Sequence, residues 1–120
     1  MLIVDDEPFI RMAAADTLSD AGLTPLEAAD AGEALEILSD HPEIAVIVTD
    51  VNMPGEDGVT LARRARSLRP DVGIIVTSGR RYIAAPELPD GGEFLPKPYG
   101  ARQLLAMILG KLGARRRRED

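Results

Sequence analysis

Two kinds of apolar segment take turns along the chain, and their alternation leaves few folds open. Ile44–Thr49 (IAVIVT) and Val72–Thr77 (VGIIVT) are β-branched runs, apolar on both faces. That is the pattern of strands covered by helices on both sides. Leu2–Val4 is a shorter aliphatic run that stops at Asp5-Asp6, and Thr24–Ala28 and Glu93–Leu95 are weaker strand candidates. Helical stripes lie between them. Ala31, Ala34, Leu35 and Leu38 recur at helical spacing behind Asp30, a candidate N-cap with Glu33 three residues on. Leu61, Ala65 and Leu68 mark a second stripe, ended by Arg69-Pro70, and Leu105, Ile108, Leu109 and Leu112 mark the last. A first helix is expected from about Pro8, a suitable first-turn residue, to Asp20, with Gly22 closing it. Five strand–helix pairs with short connections predict one α/β domain, a parallel sheet with helices on both faces. One stretch departs from the pattern. Between Thr77 and Phe94, Pro86, Pro89, Gly91 and Gly92 leave room for at most one or two turns around Arg81–Ala85. The fourth helix is therefore expected to be short or irregular.

At 120 residues a single core needs no metal or disulfide to hold it. Cysteine is absent and His41 is the one histidine, which excludes disulfide scaffolds, thiolate nucleophiles and His-based metal clusters. His41 precedes Pro42 at a helix end and reads as a surface turn residue. The chain carries 14 basic and 20 acidic residues, but Arg115–Arg118 hold four of the positive charges. Residues 1–114, the domain proper, keep 10 basic and 18 acidic residues, a net of −8. Such a body repels a phosphate backbone, so direct nucleic-acid binding is not expected. Residues 115–120 read as a basic C-terminal tail, first a solvated helix end with arginines placed favourably at a helix C-terminus, next a basic link to a further domain, and last a nucleic-acid arm. No apolar run approaches membrane-spanning length and no basic segment precedes a hydrophobic stretch, so a cytoplasmic chain without membrane contact is expected.

In an open parallel sheet, ligands bind beyond the carboxyl ends of the strands. There the first strand ends in Asp5-Asp6-Glu7, the third in Asp50, the fourth in Thr77-Ser78, and the fifth runs into Lys97-Pro98. Each feature alone is ordinary, since Asp after a strand is a common turn residue. Their force lies in coming together at the ends of different strands. Two carboxylates about 4 Å apart repel by roughly 4 kcal/mol at an effective dielectric near 20, so three of them call for a cation. Oxygen-only donors favour a hard divalent ion, Mg²⁺ above all where phosphate is involved. Such an ion, an ammonium and a hydroxyl together suit a phosphoryl group.

The stretches LIVDDEP at 2–8, IVTDVNMPGEDG at 47–58, IIVTSG at 74–79 and FLPKPY at 94–99 resemble the receiver domain of two-component response regulators, over essentially the whole chain. The resemblance implies a flavodoxin-like, doubly wound five-stranded sheet of order 2-1-3-4-5. It makes Asp50 the phosphoacceptor for a histidine kinase or phosphotransfer protein. Asp6 would bind Mg²⁺ directly and Asp5 largely through water, with Asp50 and the backbone carbonyl of Asn52 completing the set. Thr77 and Lys97 would hold phosphoryl oxygens, and a cis Lys97–Pro98 bond would place the lysine. Pro54 and Gly58 match the loop after the phosphoacceptor, where Gly58 is expected in a conformation closed to most residues. Phe94 falls at the switch aromatic, which follows the Thr77 hydroxyl inward and alters an output face read by a downstream protein.

Ser78 stands where the family prefers a very small residue and narrows access to the phosphoryl site. The Asn52 amide is placed to orient water and Gly79 obstructs none, which implies an intermediate to short acyl-phosphate lifetime. The last helix is apolar over much of its surface, suggesting a partner or homodimer face. Two other readings compete with a phosphorylation switch. One is a constitutive interaction module of the same fold. The other is an aspartate-nucleophile phosphohydrolase, against which Asn52 stands where a general acid would be needed. A stand-alone regulator and a receiver module of a hybrid kinase are both compatible with the sequence.

Overall fold

The computed structural model describes residues 1–53, 55, 57–79, 83 and 85–119, with backbone only at 85 and 114–119. The strands are β1 (Leu2–Val4), β2 (Leu26–Ala28), β3 (Val46–Asp50), β4 (Gly73–Ser78) and β5 (Glu93–Pro96). They form one sheet in the order β2-β1-β3-β4-β5, and every pairing is parallel. The helices are α1 (Pro8–Asp20), α2 (Ala31–Asp40), α3 (Gly58–Leu68) and α4 (Ala101–Glu119).

Each sheet face buries its own core, because successive side chains of a strand point to opposite sides. Leu2 and Val4 join Ile47, Ile74 and Val76 beneath Ala31, Ala34 and Leu38 of α2 and Leu61, Ala62 and Ala65 of α3. Ile3 joins Val46, Val48, Ile75 and Leu95 beneath Ala14, Ala15 and Leu18 of α1 and Leu104 and Ile108 of α4. The uninterrupted apolar runs of β3 and β4 follow from this double burial. Much of the apolar surface of α4 is absorbed in the same way. Leu105, Met107 and Leu112 pack partly against the core, while Leu109 remains half exposed.

Local signals set the helix ends. Pro8 occupies the first turn of α1, and Gly22 follows the helix with φ of 86°. The Asp30 carboxylate accepts from the Glu33 N–H at 2.8 Å, capping α2. Asp57 does the same for α3, accepting from Val59 and Thr60 at 2.9 and 3.0 Å. His41 caps the C-terminus of α2 and pairs with Glu43 at 2.7 Å.

Between β4 and β5 the described residues hold one 3₁₀ turn, Ala85–Glu87. Most of the Arg81–Ala85 turn expected from sequence lies outside the described residues. The connection is gripped through its main chain. Arg63 and Arg66 of α3 donate to the carbonyls of Glu87 and Asp90, each at 2.8 Å, and Lys111 of α4 donates to the carbonyl of Gly91. Helix α4 continues through the arginine run to Glu119; the side chains of Arg115–Arg118 lie outside the described set. Among the described residues no helix is long and apolar enough to cross a membrane.

Candidate functional site

Strand order reverses between β1 and β3, the neighbours at the centre of the sheet, and a crevice opens beyond their carboxyl ends. Asp5 and Asp6 follow β1 on one side of it and Asp50 ends β3 on the other. One carboxylate oxygen from each lies within 4.8 Å of the others. Asp5 and Asp50 are each only 3% exposed. Lys97, carried in by β5, places its Nζ 2.9 Å from Asp5 Oδ2 and 3.4 Å from Asp50 Oδ1, with Glu7 Oε1 at 3.9 Å. Its peptide bond to Pro98 is cis.

Asp5 is well supplied. Its Oδ1 accepts from the Glu7 N–H at 2.9 Å and its backbone carbonyl from Arg11 at 2.7 Å. Asp50 is not. The Lys97 contact is close enough for ionic attraction but leaves Asp50 Oδ1 buried with no hydrogen-bond partner among the described residues. Burial raises the Asp50 pKa, and the Asp5 charge adds to the rise; Lys97 opposes it without cancelling it. For Lys97, burial alone would lower the pKa. The hydrogen bond to Asp5 and the charges of Asp5, Asp50 and Glu7 outweigh burial and raise it.

A carboxyl group with a raised folded-state pKa favours folding below its unfolded pKa of about 4, and that contribution is lost as pH rises through the folded value. At pH 7 the Asp50 charge therefore costs stability. Asp50→Asn is expected to melt higher than wild type in metal-free buffer at pH 7, by roughly 1 kcal/mol or about 4 °C. The gap should close below about pH 4, where the wild-type carboxyl is protonated. Thermal melts at the two pH values check this; equal melting points at pH 7 would refute it.

Thr77, 2% exposed, lies beside Asp50 in register, and its carbonyl accepts from the Val51 N–H at 2.9 Å. Asn52 turns its side chain to β4, donating from Nδ2 to Ser78 Oγ at 3.1 Å. Phe94 sits on β5 beside Val76, half-buried against the core under α2 and α3.

Two expectations need comment. Pro54 lies outside the described residues. Gly58 does not have the special conformation assigned to it from sequence; among the described residues of this loop the positive φ belongs to Gly55, at 80°. Gly58 is required for another reason, since a Cβ there would stand 2.0 Å from the backbone oxygen of Asp50. Sequence reasoning placed Glu7 at the acidic end of the first strand without a role and missed Arg11; the two surround Lys97 and Asp5. Their signal was present in the run Asp5-Asp6-Glu7-Pro8, which places both near the start of α1 behind the carboxylates. A cavity of about 560 Å³ beside Lys97, lined by Phe9, Ala13, Tyr99 and Leu104, had no sequence signature.

Fold and pocket together define a doubly wound, flavodoxin-like α/β domain with an acidic crevice at its topological switch point. The chain belongs to the response regulator receiver domain family, whose model matches residues 1–109. The sensor kinase CckA of Brucella abortus is 40% identical over 112 residues, 90% of this chain and 12% of the kinase. The response regulator MprA of Mycobacterium ulcerans is 35% identical over 124 residues, all of this chain and 53% of the regulator. The chain thus spans about half or less of these relatives. Among solved structures, the receiver domain of the hybrid histidine kinase CckA has a TM-score of 0.81 at 36% identity, covering 92% of this chain and 96% of that one. A receiver domain protein from Clostridium thermocellum reaches 0.89 at 27% identity, with 96% and 94% covered.

Proposed function

We propose that the chain is the phosphoacceptor of a two-component phosphorelay, taking a phosphoryl group on Asp50 from a histidine kinase or histidine phosphotransfer protein with Mg²⁺. The observation that carries this reading is Asp50 Oδ1, a buried carboxylate oxygen without a hydrogen bond among the described residues, facing two further carboxylates and an ammonium. A buried carboxylate oxygen without a hydrogen bond is available to a cation and an electrophile.

The residues fit a hard divalent ion, since the donors are all oxygen and their charge exceeds what Lys97 offsets. Asp5, Asp6, Asp50 and the Asn52 backbone carbonyl would hold Mg²⁺, which when bound offsets the charge of the incoming phosphoryl group. A carboxylate oxygen of Asp50 attacks phosphorus, and the bond from phosphorus to the donor imidazole breaks. Its electron pair returns to the imidazole nitrogen, and the product is an acyl phosphate. Lys97 and the Thr77 hydroxyl take the phosphoryl oxygens. Phe94 follows Thr77, biasing a two-state element that a downstream protein reads on the surface around β5 and α4.

Intact mass after incubation with a small phosphodonor and Mg²⁺ tests the reading. One phosphoryl group is expected on wild type, with none on Asp50→Asn and none without magnesium. No addition to folded wild-type protein would overturn phosphorylation from small donors. A domain phosphorylated only by a kinase, or a phosphorylation-independent binding module, would then take its place.

A further inference from the structure

We propose that Ser78 is a positioning residue that lengthens the life of the Asp50 acyl phosphate by holding the side-chain amide of Asn52; this role rests on the phosphoacceptor reading above. Asn52 lies two residues beyond Asp50, and its Nδ2 donates to Ser78 Oγ at 3.1 Å, spanning from the loop after β3 to the end of β4. The acceptor is fixed. Ser78 is 2% exposed, its strand partner is Pro96, and its carbonyl accepts from the Lys97 N–H at 3.0 Å. The same backbone step therefore carries Thr77, beside Asp50 in register, and the hydroxyl that anchors Asn52.

Hydrolysis of the acyl phosphate needs a water oxygen in line with the bond to be broken. That oxygen bonds to phosphorus, and the phosphorus–oxygen bond to Asp50 breaks with its electron pair returning to the carboxylate. The water protons pass to the departing phosphate and to solvent. A side-chain amide free to bind the attacking water would lower the entropic cost of aligning it. One N–H of the Asn52 amide is donated to Ser78 Oγ, which fixes the amide with Nδ2 toward β4 instead. Gly79 brings no side chain that takes over either task. The serine, a departure from the very small residue preferred here, thus works through Asn52 and not by narrowing the entrance.

The test follows acyl-phosphate decay by intact mass, after removal of the small phosphodonor with Mg²⁺ retained. Ser78→Ala is expected to decay about 3- to 10-fold faster than wild type, the range set by one net hydrogen bond. In an Asn52→Ala background the same substitution should change nothing, because the amide it would release is gone. In metal-free protein, one of the two Asn52 side-chain amide protons should exchange more slowly with solvent in wild type than in Ser78→Ala, seen by NMR. Unchanged decay in Ser78→Ala, or equal acceleration in both backgrounds, overturns the role of Ser78 and leaves Asp50 as phosphoacceptor. Failure of wild type to accept a phosphoryl group overturns the reading of Asp50 and this role with it.

Discussion

Gly58→Ala is expected to remove at least about 3 kcal/mol of stability, lowering the melting temperature by roughly 12 °C. The added Cβ would stand 2.0 Å from the Asp50 oxygen, 2.7 Å from its carbonyl carbon and 2.9 Å from Val51 Cα. These are main-chain atoms at the end of a central strand, and no rotamer change relieves the overlap. Gly58 also donates its N–H to the Val51 carbonyl at 3.1 Å, so any adjustment moves the start of α3 and the end of β3 together. The phosphoacceptor position would shift with them. Chemical denaturation of the variant gives the number, and a loss below about 1 kcal/mol would show that the loop yields easily.

Lys97→Met should cost a similar amount at pH 7 by leaving Asp5 and Asp50 buried without their ammonium. Breaking a buried ion pair by removing one partner typically costs about 3–5 kcal/mol. The Lys97 pKa is raised, so its contribution is fully present below the unfolded lysine value of about 10.4 and is lost only as pH rises through the folded value. The wild-type advantage is therefore complete at pH 7. It should shrink in acid, as pH falls through the raised Asp50 value and that carboxyl protonates, so that the missing cation matters less. Asp50→Asn should gain more stability in the Lys97→Met background than in wild type, because the two sites share one charge balance. An equal gain in both backgrounds would mean that the ammonium does not stabilise Asp50 at all.

Much of the architecture was legible in β-branched runs and helix caps, because double burial and capping leave local marks. Strand ends were less so. Ile44 and Val72, apolar and buried, spend their N–H groups on turns to the His41 and Arg69 carbonyls, so β3 and β4 begin later than their apolar runs. Asp50, read as the end of the third strand, pairs with Thr77 inside the ladder. In the site, the carboxylates and Lys97 were visible because each punctuates an apolar run. The partner of Asn52 was not, since it lies 26 residues away and its hydroxyl says nothing about direction. The need for Gly58 was seen but its cause was misread. A spacing pattern registers a glycine without telling a special φ from another strand's backbone passing close by.

The grip of Arg63, Arg66 and Lys111 on the β4–β5 connection has a consequence for how this surface can diverge. All three reach main-chain oxygens, at Glu87, Asp90 and Gly91. A carbonyl is present whatever side chain is attached to it, so these three contacts do not themselves read the acidic side chains of Glu87 and Asp90. The vocabulary displayed there can be rewritten while the frame that displays it stays the same. Side chains along that stretch can change with these three main-chain contacts kept, so one backbone route could carry different surfaces.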